Sequence, residues 1–264
     1  DEAIEMLAQH LITKPVFDAL FEDYNFAAQN PVSQAMQKVV SVLEPKNIQK
    51  EAEDLEGFYA SVRRRASGID SAEGKQKIIV ELYDKFFKTA FPKLTEKLGI
   101  VYTPVEVVDF IIHSVNDILQ QEFGETVGSR NVHIIDPFTG TGTFVTRLLQ
   151  SGLIDAADME YKYKNEIHAN EIVLLAYYIA AINIEATYHS ISGNDYTPFT
   201  GICLTDTFEM YESDDMVAAL MADNSERRTR QKELDIRVII GNPPYNVAAA
   251  GVDLKDVNAR LADT

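Results

Sequence analysis

The spacing of apolar positions changes character near residue 99. Up to that point the apolar side chains recur at helical intervals. Ile4, Leu7, Ala8, Leu11 and Ile12 make one stripe, and Phe17, Leu20, Phe21 and Tyr24 continue it beyond Pro15. Val32, Met36, Val39, Val40 and Leu43 predict a second helix, halted at Pro45. Ile79, Leu82, Tyr83, Phe86, Phe87 and Ala90 predict a strongly amphipathic one, ended by Pro92. No strand pattern interrupts this stretch. Residues 1–97 are therefore expected to be an all-α helical region, a bundle or an arm, with no chemistry of their own. Arg63-Arg64-Arg65 is the one dense basic cluster, and it reads as a solvated helix face before it reads as a phosphate contact.

After Gly99 the pattern alternates between short β-branched runs and helical stripes. Thr103-Pro104-Val105-Glu106 has the form of a capping box, with Thr103 as N-cap, Pro104 at the first helical position and Glu106 at the third. Val105, Val108, Ile111, Ile112, Val115, Ile118 and Leu119 form the stripe that this helix should bury. Strands are predicted at 132–135, ending in Asp136; at 167–170, ending in Glu171; at 201–204, ending near Asp206; and at 238–240, ending at Gly241. A helix is expected to begin near Thr143. Residues 172–184 are apolar on nearly every side, which predicts a buried helix. The polar stretch 214–233 is expected to be a surface excursion. Repeated strand–helix units imply a mostly parallel, doubly wound α/β sheet over residues 98–264.

The totals narrow the class. The chain has 264 residues, 46% of them hydrophobic, enough for a substantial core. A formal net charge of −17 repels a polyanion, so tight nucleic-acid binding by this stretch alone is not expected. Cys203 is the single cysteine and sits in an apolar run, as a small buried hydrophobe would. No internal disulfide is possible, and a reducing cytoplasm is the natural setting. No signal peptide is visible, and the longest apolar run, 172–182, falls short of the roughly 20 residues of a membrane helix. The chain opens without methionine on residues that read as helix, so a fragment of a longer protein is expected.

Two stretches carry chemistry. Asp136-Pro137-Phe138-Thr139-Gly140-Thr141-Gly142-Thr143-Phe144 links a strand to a helix, where small residues admit a ligand to the backbone. A phosphate-binding P-loop would need a lysine after Gly142, and Thr143 stands there. A dinucleotide fingerprint needs three spaced glycines, and only Gly140 and Gly142 are present. An acid at the mouth suits a cationic ligand without phosphate, as S-adenosylmethionine is. Glu171, followed by Ile172, ends the next strand and can accept both ribose hydroxyls. Asp206, followed by Thr207, ends the third and can accept from an adenine amine. Taken singly, each acid is better read as a loop residue or helix cap; three in register are not. The second stretch is Gly241-Asn242-Pro243-Pro244-Tyr245. Its prolines remove two backbone donors and stiffen a turn that presents an amide oxygen, a carbonyl and a ring. Such a loop can grip a planar group bearing an amine.

With these residues in place, 99–264 resembles the amino-group DNA methyltransferases, specifically the N6-adenine enzymes of the γ group. Val101-Tyr102-Thr103-Pro104 is similar to their motif X, 136–144 to motif I, Asn170-Glu171 to motif II, Thr205-Asp206-Thr207 to motif III and Asn242-Pro243-Pro244-Tyr245 to the catalytic motif IV. The resemblance implies a Rossmann-like S-adenosylmethionine-dependent core, truncated before its last strands. It also implies a cofactor site of Tyr102, Thr103, Pro104, Asp136, Pro137, Thr139, Gly140, Thr141, Gly142, Thr143, Phe144, Glu171, Ile172, Asp206, Thr207 and Asn242. No metal is called for. The helical lead-in is similar to the coupler of Type ISP restriction–modification enzymes. That implies a nuclease, a helicase-like ATPase and a target-recognition domain on the same polypeptide, with double-stranded DNA as partner and no membrane.

The expected reaction is methyl transfer to the exocyclic amine of a flipped adenine. The Asn242 oxygen and Pro243 carbonyl would accept the amine hydrogens, and Tyr245 would stack on the base, so positioning replaces a general base. The fragment is expected to be inactive alone. Two alternatives stay open: a glutamine-amide or RNA guanine-N2 methyltransferase, since the same loop serves those amines, and a non-catalytic coupler that only senses S-adenosylmethionine.

Overall fold

The computed structural model describes residues 2–20, 26–42, 60, 64, 103–193, 196–208 and 222–244. The expected helix over 79–90, most of the arginine triplet, Tyr102 and Tyr245 lie outside these.

Within the N-terminal region, α1 (Glu2–Leu20), α2 (Phe26–Gln29) and α3 (Pro31–Val42) follow the helical spacing of the apolar residues. Pro15 lies inside α1 without ending it. Val32 and Met36 bury one face of α3, and Asn30 caps it by accepting the Ser33 N–H at 3.0 Å.

Helix α4 (Val105–Ile118) continues through a wider turn (Leu119–Phe123) to Gly124, whose φ of 67° stops it. The expected capping box does not form. Pro104 is the N-cap, its carbonyl accepting from Val107 and Val108, and no side chain caps the helix. Thr103 therefore stands one residue too early for its hydroxyl to serve the first turn. The stripe is also narrower than expected: Val108, Ile112 and Leu119 are buried, whereas Val105 and Ile118 are exposed. Asn116 takes a buried place instead, accepting the Val127 N–H at 3.1 Å.

Four strands follow: β1 (His133–Asp136), β2 (Ile167–Glu171), β3 (Ile202–Leu204) and β4 (Ile236–Ile239). Between them lie α5 (Thr143–Gln150), α6 (Ala156–Asn165), α7 (Leu174–Ser192) and α8 (Ala222–Lys232). All pairings are parallel, in the order β3-β2-β1-β4. The chain steps from β1 outward to β3, then returns to the far side of β1 with β4. That reversal makes β1/β4 the topological switch point, where open α/β sheets bind ligands beyond the strands' carboxyl ends.

Helix α7 is the centre of the core. Every side chain from Leu174 to Tyr188 is buried, as its apolar run implied, although the helix starts two residues later than expected. Two expectations need correction. Residues 222–232 are not a surface excursion: Asn224, Arg227 and Gln231 are buried, with Asn224 bracing both the N–H and the carbonyl of Leu204. Residues 238–240 are not buried throughout, since Ile239 is 71% exposed between buried Val238 and Ile240. Strand β4 is one of the two edges of the sheet, and its face that carries Ile239 is open among the described residues. Helix α6 carried no apolar stripe strong enough to be expected. It is held by Lys162, fully buried, which donates to Glu166 and to the carbonyls of Ser129 and Val132. No helix among the described residues is long and apolar enough to cross a membrane.

Candidate functional site

The carboxyl ends of the strands bring the sequence-predicted acids into one row, Asp206–Glu171–Asp136, with Asn242 following at the end of β4. Asp136 is only 1% exposed. Its Oδ1 accepts the Phe138 N–H at 3.1 Å, while Oδ2 is buried without a hydrogen-bond partner. Burial pushes this carboxyl up to about 7; the Phe138 N–H opposes the rise and the neighbouring Glu171 adds to it.

Glu171 is oriented through both oxygens. Oε1 accepts the Val173 N–H at 2.8 Å, and Oε2 accepts the Gly140 N–H at 2.8 Å. Burial again dominates, raising it to about 7 against the pull of those backbone donors. Two buried acids near neutrality form a place where a cation is welcome and a phosphate is not.

The loop between Asp136 and α5 is shaped from three sides. The Thr139 hydroxyl donates back to the Asp136 carbonyl at 3.0 Å, and its N–H donates to the Asn170 carbonyl of β2 at 3.0 Å. Gly140 and Gly142 have φ of 57° and 86°, values that L side chains rarely adopt. At Gly142 a Cβ would also meet the Ala180 Cα at 3.2 Å, so the loop rests directly on α7. Asn183 of α7 donates to the Thr141 carbonyl at 2.9 Å. Thr139 and Thr141 are buried, Pro137 and Thr143 half-buried, and Phe144 sits in the core.

Beyond β3, half-buried Asp206 accepts the Phe208 N–H at 2.9 Å. The Thr207 hydroxyl donates to the Pro137 carbonyl at 2.7 Å, and the Phe138 and Phe208 rings lie 5.4 Å apart. The first and third strand-end loops are thus tied together across Glu171. Ile172 is 46% exposed beside them. Thr103 and Pro104 stand at the head of α4, which is pinned to α5 by a two-pronged Arg147–Asp109 pair at 2.7 Å on each arm. That pair holds the Asp109 carboxyl below the usual range.

Strand β4 delivers the last piece. A Cβ on Gly241 would lie 2.6 Å from Asp136 Oδ1 and 3.4 Å from Pro137 Cδ. Only glycine lets the strand end pass this close to the acid. Asn242, half-buried, and Pro243 and Pro244, both exposed, therefore leave the sheet beside Asp136. Sequence reasoning named Gly241 only as the end of its strand and missed two other contributors. Gly241 was visible as the glycine closing a β-branched run, and Asn183 as an amide inside an apolar helix; the Phe138–Phe208 pair needed the fold. No group of three or more potential metal ligands occurs among the described residues.

A parallel sheet with acids at three neighbouring strand ends and Asn-Pro-Pro at the switch point defines the methyltransferase class of α/β fold. Residues 74–263 match the N-6 DNA methylase family, and the chain belongs to it. Residues 1–74 match the coupler domain of Type ISP restriction-modification enzymes. No curated protein matches the chain. Among solved structures, a nuclease-deletion mutant of the Type ISP restriction-modification enzyme LlaGI, in complex with a DNA substrate mimic, is 57% identical, with a TM-score of 0.82 over 91% of this chain. The ATP-dependent Type ISP enzyme LlaBIII bound to DNA is 54% identical, with a TM-score of 0.86 over 99%. The DrdV–DNA complex is 35% identical, with a TM-score of 0.85 over 99%. The chain spans 20%, 19% and 26% of those three chains, respectively.

Proposed function

We propose that this chain is the coupler and leading methyltransferase portion of a Type ISP restriction–modification enzyme that methylates N6 of adenine in double-stranded DNA, with S-adenosylmethionine as donor. The observation that carries the cofactor reading is Asp136. Its Oδ2 is buried and unpartnered, and burial holds both it and Glu171 near neutrality. A cationic ligand would supply the missing partner, so the residues fit this cofactor. When bound, S-adenosylmethionine offers an electrophilic methyl group. Thr103, Pro104, Pro137, the 139–144 loop, Glu171–Ile172 and Asp206–Thr207 would hold it, and Tyr102 belongs to the same proposed set.

Asn242 and Pro243 would accept the two hydrogens of the target amine, Pro244 would stiffen the turn, and Tyr245 would stack on the flipped base. Holding both hydrogens draws the nitrogen out of conjugation, so orientation takes the place of a general base. We divide the chain at residue 97 into a coupler-like region, 1–97, and a methyltransferase region, 98–264; the two family matches meet at residue 74. Nuclease, helicase-like ATPase and target-recognition domains on the same polypeptide, and a cytoplasmic setting, belong to this reading.

The test uses the full-length gene product. Calorimetry should show S-adenosylmethionine binding that Asp136→Ala removes. Duplex DNA should take up labelled methyl groups at adenine, and Asn242→Ala should lower the uptake by about 100-fold or more. Absence of cofactor binding, or label in RNA or protein instead of DNA, would overturn the reading.

A further inference from the structure

Helix α7 touches both halves of the candidate cofactor site. Ala180 and Asn183 support the Gly140–Gly142 turn, and the Val173 N–H, just before the first residue of α7, holds Glu171. The same end of α7 is gripped from the helical region. Gln9 of α1, only 4% exposed, accepts the Leu175 N–H through Oε1 at 3.3 Å. His10 Nδ1 meets the Tyr178 hydroxyl at 3.0 Å, and the Asn30 amide donates to the Tyr177 hydroxyl at 3.5 Å.

The first turn of a helix has N–H groups with no partner inside the helix. Val173, the N-cap of α7, provides none for them through its side chain. One of them is satisfied from 166 residues away in sequence, by a region that carries no cofactor residue of its own.

We propose that Gln9 is a positioning residue for the cofactor site: by holding the first turn of α7, it fixes the backbone that orients Glu171. Docking of α1 and occupancy of the site are then energetically linked, and by reciprocity each strengthens the other. The proposal rests on the S-adenosylmethionine reading above. It adds that the coupler-like region sets the affinity of the methyltransferase site for its cofactor.

The test compares wild type, Gln9→Leu, Gln9→Glu and Asp136→Asn in the full-length protein. Gln9→Leu keeps the shape and loses the acceptor; Gln9→Glu restores it, with a charge that a helix N-terminus favours. Gln9→Leu should weaken S-adenosylmethionine binding roughly fivefold or more, a typical coupling magnitude. It should raise the KM for the cofactor by more than it lowers kcat. With the Val173 donor less firmly placed, Glu171 ionises less readily, so the pH midpoint of cofactor binding should also move upward, an effect a loss of global stability would not produce. Gln9→Glu should recover most of the affinity.

Hydrogen exchange on the wild type gives a measurement independent of any variant's folding. Adding S-adenosylmethionine should slow exchange in peptides covering 6–13 as well as 173–180. Wild-type affinity in Gln9→Leu, or unchanged exchange at 6–13, overturns the proposal while leaving the cofactor reading intact. Absence of binding by wild type, or full binding by Asp136→Asn, overturns both.

Discussion

Replacing Asp136 with asparagine separates what this residue does for the site from what it does for the fold. Asn keeps an oxygen for the Phe138 N–H and removes the charge from an environment that excludes water. In the cofactor-free protein the carboxyl is pushed from 3.8 to about 7, which penalises its ionised form by about 4 kcal/mol at 1.36 kcal/mol per pH unit. Above pH 7 the wild type carries that penalty whenever the site is empty. Asp136→Asn should therefore leave stability at pH 8 unchanged or raised by up to ~4 kcal/mol. Binding should move the opposite way. Losing one charge-assisted hydrogen bond of about 1.5–3 kcal/mol predicts an affinity for S-adenosylmethionine roughly 10- to 150-fold weaker. Denaturant unfolding at pH 8, with and without cofactor, and calorimetric titration give both numbers on one sample. A variant that loses more than ~2 kcal/mol of stability, or binds within twofold of wild type, would show Asp136 to be a structural acid, and the reasoning would fail.

Other expected outcomes follow from the same geometry. Burial raises Asp136, Glu171 and Glu185 to about 7, so the folded cofactor-free protein keeps protons that the unfolded chain has released. Their contribution to stability is fully present below about pH 4 and is lost as pH rises to about 7; cofactor binding should release protons and tighten through the same window, as calorimetry in buffers of different ionisation enthalpy will show. Gly241→Ala forces a Cβ to 2.6 Å from Asp136 Oδ1, so cofactor affinity should fall at least tenfold while the melting temperature drops only a few degrees. Asn242→Ala should lower methyl transfer by about 100-fold or more, in single-turnover assays, with a much smaller change in cofactor affinity. Lys162→Met strands buried Glu166 and should cost about 3–5 kcal/mol in denaturant unfolding, only partly recovered by adding Glu166→Gln because the Ser129 and Val132 carbonyls still lack their donor.

How much could be read from the sequence varies with the range of the interactions involved. The strands at 133–136, 167–171 and 202–204 were legible because parallel strands buried on both faces are short β-branched or apolar runs closed by turn residues. Helix α7 was legible because a helix apolar on all sides has only the core to occupy. Local capping was misread at Thr103, where a single residue of offset decides whether the hydroxyl reaches the first turn. Helix α8 was misplaced on the surface because its buried positions are Asn224, Arg227 and Gln231, polar residues that give no apolar stripe; Asn224 and Arg227 are held by Leu204 and Ile202 of β3, partners that no local pattern reveals. At the site, the acids and the Asn-Pro-Pro turn were visible as residue types at strand ends.

What the sequence determined by itself is therefore the alternation of elements, the identity of the chemical groups and their order along the chain. Tertiary structure decided which strand ends are neighbours, because strand order depends on crossovers that link residues far apart in sequence. It decided that Asp136 and Glu171 lose their water, because burial is set by what packs over them. It also decided that Gly241 passes against Asp136, and that Gln9 reaches the first turn of α7. Each of these is a contact between distant segments, and its strength comes from the exclusion of solvent, which no stretch of sequence achieves alone.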